Sequence, residues 1–568
     1  MTEQKDRMGQ AEQRKRINET ASAATPAASS AASTGSSNAD FKPAPTPEAA
    51  ASSGNPASSV PEAPSVLSQG SVLAVFIGLL VAMIVGSLDQ TVVVTALPTI
   101  VGELGGATHM LWVTTAYVLA ATVTMPLYGK VGDLIGRKGL FIGALGLFVA
   151  GSLVCGSTTS MEGLVAGRAV QGLGGGGLMI LSQAIVADVV PPRKRALYLS
   201  AIGLAYAVPM VIGPLLGGLF TDTLGWRWCF WINVPLAAVA IVTAVICLPK
   251  PRHKVENATF DVWGTAALAA ALTALTLATA WGGVEYEWTS PVIVGLGAAA
   301  VAGGVLFVLA ERRAKDPIMS LELFRSRNFN VCTVAGFVSM FVMMGVLTYL
   351  PTYLQITHGM SATAAGYMEL PLNIAWFASS LISGYAVSKL GTYKKLMVGS
   401  FVLLVAGVAV LTAITADIPI ALIAVALAVI GFGLGLNFEI LVLIVQNEFP
   451  ARDVGMATAA TNFFREMGTT LGASVIGMLF TSGLLRTLPE SLASVGGTDV
   501  LGTDVNAITP AIVRALPEGV HDAVGAAYND ALAPVFWFML PFAVLSVVMM
   551  ALLREKPLAN TLDEDAEG

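Results

Sequence analysis

An aspartate inside an apolar run is the residue of this chain best placed to do chemistry. Asp89 lies about two thirds of the way along the stretch Ser71 to Ile100, within LDQTVVVTALPTI. A carboxylate at that depth costs about 2.5–3.5 kcal/mol on insertion scales, so such groups are few and usually serve function. Two roles are open to it: a hydrogen-bonding strut between helices, or a group that binds and releases a proton. Arg168 sits in a later apolar run and needs a partner for the same reason, and Asp89 is the natural one. Glu369, in GYMELPLNIAWF, falls at the outer end of a run. Glu439, in GLNFEILVLIVQ, falls mid-run, and Glu466 follows Arg465. A desolvated carboxylate among aromatic faces suits a bulky lipophilic cation. Glu369 and Glu439 with Trp376, Phe438 and Phe464 are therefore the candidate substrate-binding set, with Phe377 and Phe463 nearby, whereas Glu466 reads as a structural partner of Arg465.

A second constellation is suited to gating. In GKVGDLIGRK, Gly129, Gly132 and Gly136 permit a tight turn and close helix approach, Asp133 can cap a neighbouring helix N-terminus, and Arg137 can pair with a carboxylate across an interface. In AIGLAYAVPMVIGPLLGG, Pro209, Gly213, Pro214, Gly217 and Gly218 weaken a helix so that it bends or pivots. The glycine run 174–177 has no following GK[ST] and no preceding strand, which excludes a phosphate cradle and leaves close helix packing.

These residues must be held by membrane-spanning helices. Of 568 residues, 55% are hydrophobic and 12% charged, with a mean hydropathy of +0.73. Soluble domains carry about 25% charged residues, so the chain reads as a polytopic membrane protein. From Ser71 onward, apolar runs of about 20 residues, the length that crosses a bilayer, alternate with short polar turns. Fourteen runs are counted. Basic residues fall 18 to 3 in favour of the loops on the N-terminal side, which places both termini in the cytoplasm by the positive-inside rule. Residues 1–68, rich in Ala, Ser and Pro with an early basic patch, read as a disordered cytoplasmic tail. Residues 486–530 form an unusually long outer loop, able to fold as an extracellular hairpin or short helices, and 556–568 an acidic tail. A faint repeat aligns Gly129 and Gly136 with Gly384 and Gly391. It is consistent with paired halves, 69–250 and 329–555, separated by a two-helix insertion, 251–328.

Four stretches carry a family resemblance: LDQTVVVTALP, the Gly129–Lys138 loop, GRAVQGLGGGGLMILSQAIVADVVPPRKRA, and AIGLAYAVPMVIGPLLGG. Over about residues 70–555 the chain resembles a fourteen-span drug:proton antiporter of the major facilitator superfamily. Leu134 stands where family members often have a basic residue. The resemblance implies an all-α membrane protein with two six-helix halves and two inserted central helices. It also implies proton coupling at Asp89 and Arg168, gating by the two glycine-rich motifs, and a small-molecule substrate exported across the cytoplasmic membrane. The second glycine-rich motif resembles the one that marks antiporters rather than symporters.

Other classes find less support. Four cysteines (Cys155, Cys229, Cys247, Cys332) without a CxxC argue against a metal site or a disulfide framework. The four histidines (His109, His253, His358, His521) form no catalytic constellation, so no enzyme and no cofactor beyond the proton is expected. No basic stripe suggests nucleic acid, and a monomer is expected. Export of an endogenous metabolite, lipid or peptide, or a membrane sensor that has lost transport, are the rival readings.

Overall fold

The computed structural model describes residues 69–105, 110–248, 261–283, 285–495, 513 and 516–558. The expected N-terminal and acidic tails, and the loop residues Lys250, Arg252, Lys254 and Arg514, lie outside these apart from 556–558. The N-terminal helices are α1 (Gln69–Leu104), α2 (Met110–Ile135), α3 (Arg137–Ser157), α4 (Met161–Val189), α5 (Pro192–Ile202), α6 (Leu204–Thr223), the single turn α7 (Trp228–Trp231) and α8 (Asn233–Cys247). A hairpin follows, α9 (Val262–Trp281) and α10 (Pro291–Glu311). The C-terminal helices are α11 (Arg327–Thr357), α12 (Ala362–Tyr367), α13 (Leu370–Leu390), α14 (Lys394–Thr412), α15 (Ile420–Gln446), α16 (Val454–Ser494) and α17 (Glu518–Ala551).

Local chemistry marks many of the boundaries. Ser160, Asp261, Ser290, Ser326 and Ser361 each accept a backbone N–H three residues on, at the start of α4, α9, α10, α11 and α12. Gly391 ends α13 at φ 72°, a left-handed stop that glycine adopts without strain.

Among the described residues, twelve helices are long and apolar enough to cross a membrane. The two other crossings expected from the sequence correspond to α2, 26 residues long, and α6, 20 residues long. The stretch expected as a long outer loop, able to fold as a hairpin or short helices, is mostly helical where it is described. Helix α16 runs for 41 residues to Ser494 and α17 begins at Glu518, so most of 486–530 that is described continues the flanking helices. Leu484, Leu488 and Leu492 are buried, as are Val520, Val524 and Ala527, and Thr487 Oγ1 donates to Ala527 O at 3.0 Å. Apolar residues at helical spacing on both segments explain why they pair rather than loop.

Packing follows two similar patterns. In the N-terminal set α1 packs on α6 and α8, and α4 on α2 and α3; in the C-terminal set α13 and α14 pack on α15, and α11 on α16 and α17. The two sets meet where α2 faces α16 and where α13 faces α5. The α9–α10 hairpin lies against α2 and α16, with Trp112 and Trp281 edge-to-face at 6.1 Å.

The glycine run of α4 makes its close packing possible. A Cβ on Gly174 would strike Ala144 O and lie 2.5 Å from Phe148 N; one on Gly177 would lie 2.8 Å from the Tyr128 ring. Backbone atoms cannot yield, and overpacking costs about 1–3 kcal/mol. Gly174→Ala is therefore expected to lower the thermal unfolding midpoint of purified protein. Gly218→Ala, with nothing within 4 Å of its Cβ, is the control and is expected to leave the midpoint in place or raise it slightly.

At the end of the bundle where the basic loops lie, residues after α17 form a strap. Glu555 Oε1 accepts the N–H groups of Tyr393 and Lys394 at 2.6 and 3.1 Å, capping α14 from a distance in sequence. Asn328 exchanges two hydrogen bonds with the backbone of Arg554, and Lys556 Nζ pairs with Glu448 at 3.1 Å. Burial pushes the Tyr393 phenol up to about 12, so it stays neutral while its Oη accepts Lys556 N–H at 2.8 Å.

Candidate functional site

Asp89 is fully buried at a junction of four helices. Its Oδ2 pairs with Arg168 Nη1, and its Oδ1 accepts from Gln171 Nε2 and Asn233 Nδ2, both at 2.7 Å. Ser152 Oγ accepts from the same two amide nitrogens at 2.8 and 3.3 Å. Arg168 also donates to Val113 O at 3.0 Å and Gln171 Oε1 at 2.7 Å, and its guanidinium lies 4.4 Å over the Tyr117 ring. Helices α1, α3, α4 and α8 thus all reach the carboxylate or its immediate partners, and α2 supplies the carbonyl and ring beside the arginine. Every group facing the carboxylate is a donor, so its ionised form is satisfied without water. A proton on Asp89 would leave Arg168 buried without its counter-charge, which makes the pair sensitive to protonation. Gln171, Asn233 and Ser152 were not singled out in the sequence. The signal was present, since Gln and Asn in otherwise apolar runs are themselves uncommon.

The gating residues at the basic end come together as expected in part. Gly129 lets α2 approach α16, where a Cβ would lie 2.6 Å from Gly455 O. Asp133 Oδ1 and Oδ2 accept the N–H groups of Gly455 and Met456 at 3.2 and 2.7 Å, capping the N-terminus of α16. Gly136 turns the chain at φ 93°. Arg137 departs from expectation. It donates to Asp133 at 2.7 Å, to Asp188, and to Ala184 O at 2.6 Å, all within the N-terminal helices. The positive φ at Gly136 starts α3 in a direction that carries Arg137 back over α4, so Asp133 crosses the interface and Arg137 steadies it. A residue not anticipated, Arg193, makes the counterpart contact. It donates to Ser388 O at 3.0 Å and Lys389 O at 2.9 Å, on the last turn of α13.

The glycine–proline stretch of α6 serves packing on α1. A Cβ on Gly213 would strike Thr91 Oγ1, and one on Gly217 would lie 2.8 Å from Val92 O. Thr91 Oγ1 also donates to Pro209 O at 3.1 Å. Gly218 meets nothing within 4 Å, and Pro214 lies on the exposed side, so neither joins this contact. The helix break in this span lies at Gly203, between α5 and α6, where hydrogen bonds shorten to a three-residue turn, rather than at Pro209 or Pro214.

Of the substrate set, Trp376 and Phe438 come together, while Glu439 faces Gln183. The Phe438 ring contacts Trp376 at 5.1 Å and Tyr206 at 6.1 Å, with the Arg465 guanidinium 3.5 Å from its centroid. Phe464 packs edge-on against Phe324 and Phe463, at 5.9 and 5.4 Å. One residue along a helix is a turn of about 100°, and that step sends Phe464 away from the Arg465 side. Glu369 caps nothing and lines a small apolar cavity with Leu347, Leu350, Pro351, Leu354, Met368 and Leu427, apart from the Phe438 cluster. Neither Glu439 nor Glu466 forms an ion pair with Arg465 among the described residues. Arg465 instead donates to Phe438 O at 3.2 Å.

A sequence model described as Major Facilitator Superfamily matches residues 79–473. The chain belongs to this superfamily. Members are transporters and not enzymes, so this is a multi-pass membrane transporter with a small-molecule substrate. It is 38% identical over 495 residues to an uncharacterized MFS-type transporter of Mycobacterium tuberculosis, covering 86% of this chain and 70% of that one. It is 32% identical over 512 residues to the multidrug transporter protein MdtP of Bacillus subtilis, covering 86% and 94%. Multidrug resistance protein 3 of the same organism is 31% identical, covering 87% and 98%. In fold, the transporter is similar to the human organic anion transporter MFSD10, with a TM-score of 0.56 at 14% identity, covering 83% of this chain and 99% of that one.

Proposed function

We propose that this transporter is a proton-coupled antiporter that exports lipophilic, often cationic, compounds across the cytoplasmic membrane by alternating access. The observation that carries the reading is the buried Asp89–Arg168 pair, a charge couple that a single proton breaks. The names of the two Bacillus relatives, a multidrug transporter and a multidrug resistance protein, support export of drug-like molecules. In this reading the chain has fourteen spans in two six-helix halves with the α9–α10 insertion, and both termini are cytoplasmic. Asp133 and Arg193 then close the cytoplasmic side, and the conformation is one that faces outward.

The cycle follows from charge. With the cytoplasmic side closed, a proton from outside reaches Asp89, frees Arg168 from its counter-ion, and favours substrate release. Rocking of the halves opens the cytoplasmic side, the proton leaves, and the re-formed ion pair accompanies loading. One charge moved through 100 mV supplies about 2.3 kcal/mol, enough for roughly a fifty-fold substrate gradient.

The test uses inside-out vesicles with an imposed proton gradient and an ethidium-like cation. Wild-type protein is expected to dissipate the gradient when the cation is added. A gradient that holds while the protein is folded and correctly inserted would rule out drug–proton exchange and favour an endogenous neutral or anionic substrate.

A further inference from the structure

The Asp89 network closes on itself: each hydrogen-bond partner of Asp89, Arg168 and Gln171 lies on the N-terminal helices. Protonation there does not by itself report to the opposite set of helices. A different buried carboxylate sits where the two sets meet. Glu439, on α15 and 1% exposed, accepts Gln183 Nε2 of α4 at 3.2 Å. Gln183 is also where two other residues of the C-terminal set converge. Asn462 Nδ2 donates to its Oε1 at 2.7 Å, and Gln446 Nε2 donates to its backbone carbonyl at 3.2 Å. Gln446 in turn donates to Thr458 Oγ1 at 3.2 Å, and Asn462 to Thr458 O at 2.9 Å.

This cluster is short of hydrogens. Glu439 Oε1, Asn462 Oδ1 and Gln446 Oε1 are all buried with no partner, and all three are acceptors. Reversing the amides gives no better arrangement, because each nitrogen already faces an oxygen. Arg465 lies within electrostatic reach but is committed to the Phe438 carbonyl and ring. Glu466 of α16 and Tyr206 of α6 are the other titratable groups near the site, and neither brings positive charge. An ionised carboxylate with one neutral donor and no hydrogen-bonded counter-ion is costly to bury. A proton removes that charge and turns one surplus acceptor into a donor.

We propose that Glu439 is a second proton-binding site of this transporter, and that Gln183 couples its protonation to the meeting of the two halves. The proton is held while α4 and α15 are apposed. When the halves part on the cytoplasmic side, Gln183 leaves with α4, water reaches the carboxyl group, and the proton is released there. Direction follows without further assumption: uptake occurs in the outward-facing form and release in the inward-facing form. The proposal rests on the proton-coupled reading above and adds a site to it.

The test is infrared difference spectroscopy on purified protein in lipid at neutral pH, which needs no transport. Wild type minus Glu439→Gln is expected to show loss of a protonated-carboxyl stretching band. The same band is expected in Asp89→Asn. Gln183→Met leaves Glu439 in place but removes its donor, and is expected to shift the band rather than abolish it. This variant also covers the case in which Glu439→Gln does not fold. Loss of an ionised-carboxylate band instead, or a band indifferent to Gln183, would overturn the proposal. In voltage-clamped vesicles Glu439→Gln is expected to move one proton fewer per substrate, and an unchanged ratio would likewise count against it. If wild type exchanges no protons for substrate but the band behaves as described, the antiport reading fails while Glu439 stands as a protonated site.

Discussion

Asp89→Asn is expected to abolish proton-coupled export and also to destabilise the protein. The amide keeps the shape of the carboxylate and can still accept from one neighbour, but Arg168 is left fully buried without its counter-charge. Removing one member of a buried ion pair costs about 3–5 kcal/mol. The same substitution takes away the group whose protonation drives the proposed cycle, so two effects are superimposed and must be separated. The double variant Asp89→Asn/Arg168→Gln does so, because it leaves no unpaired charge. Its thermal midpoint is expected to recover most of the loss, while uphill export stays at the level of passive leak. Thermal unfolding of the purified variants and substrate accumulation in vesicles provide the two readouts. Recovery of export along with stability would show that the pair is a strut, the other role open to a buried aspartate.

Removing the Asp133 side chain is expected to loosen the proposed cytoplasmic gate. Asp133→Ala deprives two N–H groups at the start of α16 of their acceptor and removes a negative charge from the positive end of that helix dipole. Loss of such a cap costs about 1–2 kcal/mol. If, as proposed, this contact joins α2 to α16 only when the gate is shut, the cost falls on the closed form and shifts its population about five- to thirty-fold. Spin labels at the exposed Lys194 and Arg452, one on each side of the interface, read this directly. A longer-distance component is expected to grow in the variant, accompanied by slower export. Arg137→Ala should act in the same direction but more weakly, since Arg137 only orients the aspartate. An unchanged distance distribution in Asp133→Ala would remove Asp133 from the gate.

The sequence made the apolar runs, the Asp89–Arg168 pair and the capping role of Asp133 legible, because each depends on residue type and depth alone. What it hid depends on the rotational phase of a helix. Runs such as those of α15 and α16 are apolar over most of their circumference, so hydropathy does not say which side faces a partner. Phe464 and Arg465 are neighbours in sequence, yet they face different surroundings. The direction of Arg137 depended on the turn at Gly136, and the convergence of Gln183, Gln446 and Asn462 on one point required three helices to be placed first. Polar residues within spans were the available hint. Short helices were legible in 486–530, but not that 486–494 and 518–530 extend the flanking helices, because their apolar spacing is that of a soluble amphipathic pair, not of a membrane crossing.

Helix α16 has 41 residues and is therefore about 60 Å long, roughly twice the thickness of the hydrocarbon layer. Its first turn is fastened by Asp133, and a helix of this length that crosses the bilayer carries its far end beyond the hydrocarbon layer. A rigid rod held in this way works as a pointer. A tilt of about 15° about that fastened end swings a tip about 60 Å away by roughly 15 Å. Small rearrangements at the fastened end are thus displayed, magnified, at the far tip, where in the proposed orientation a fluorophore or an antibody fragment can follow the working cycle from outside the cell.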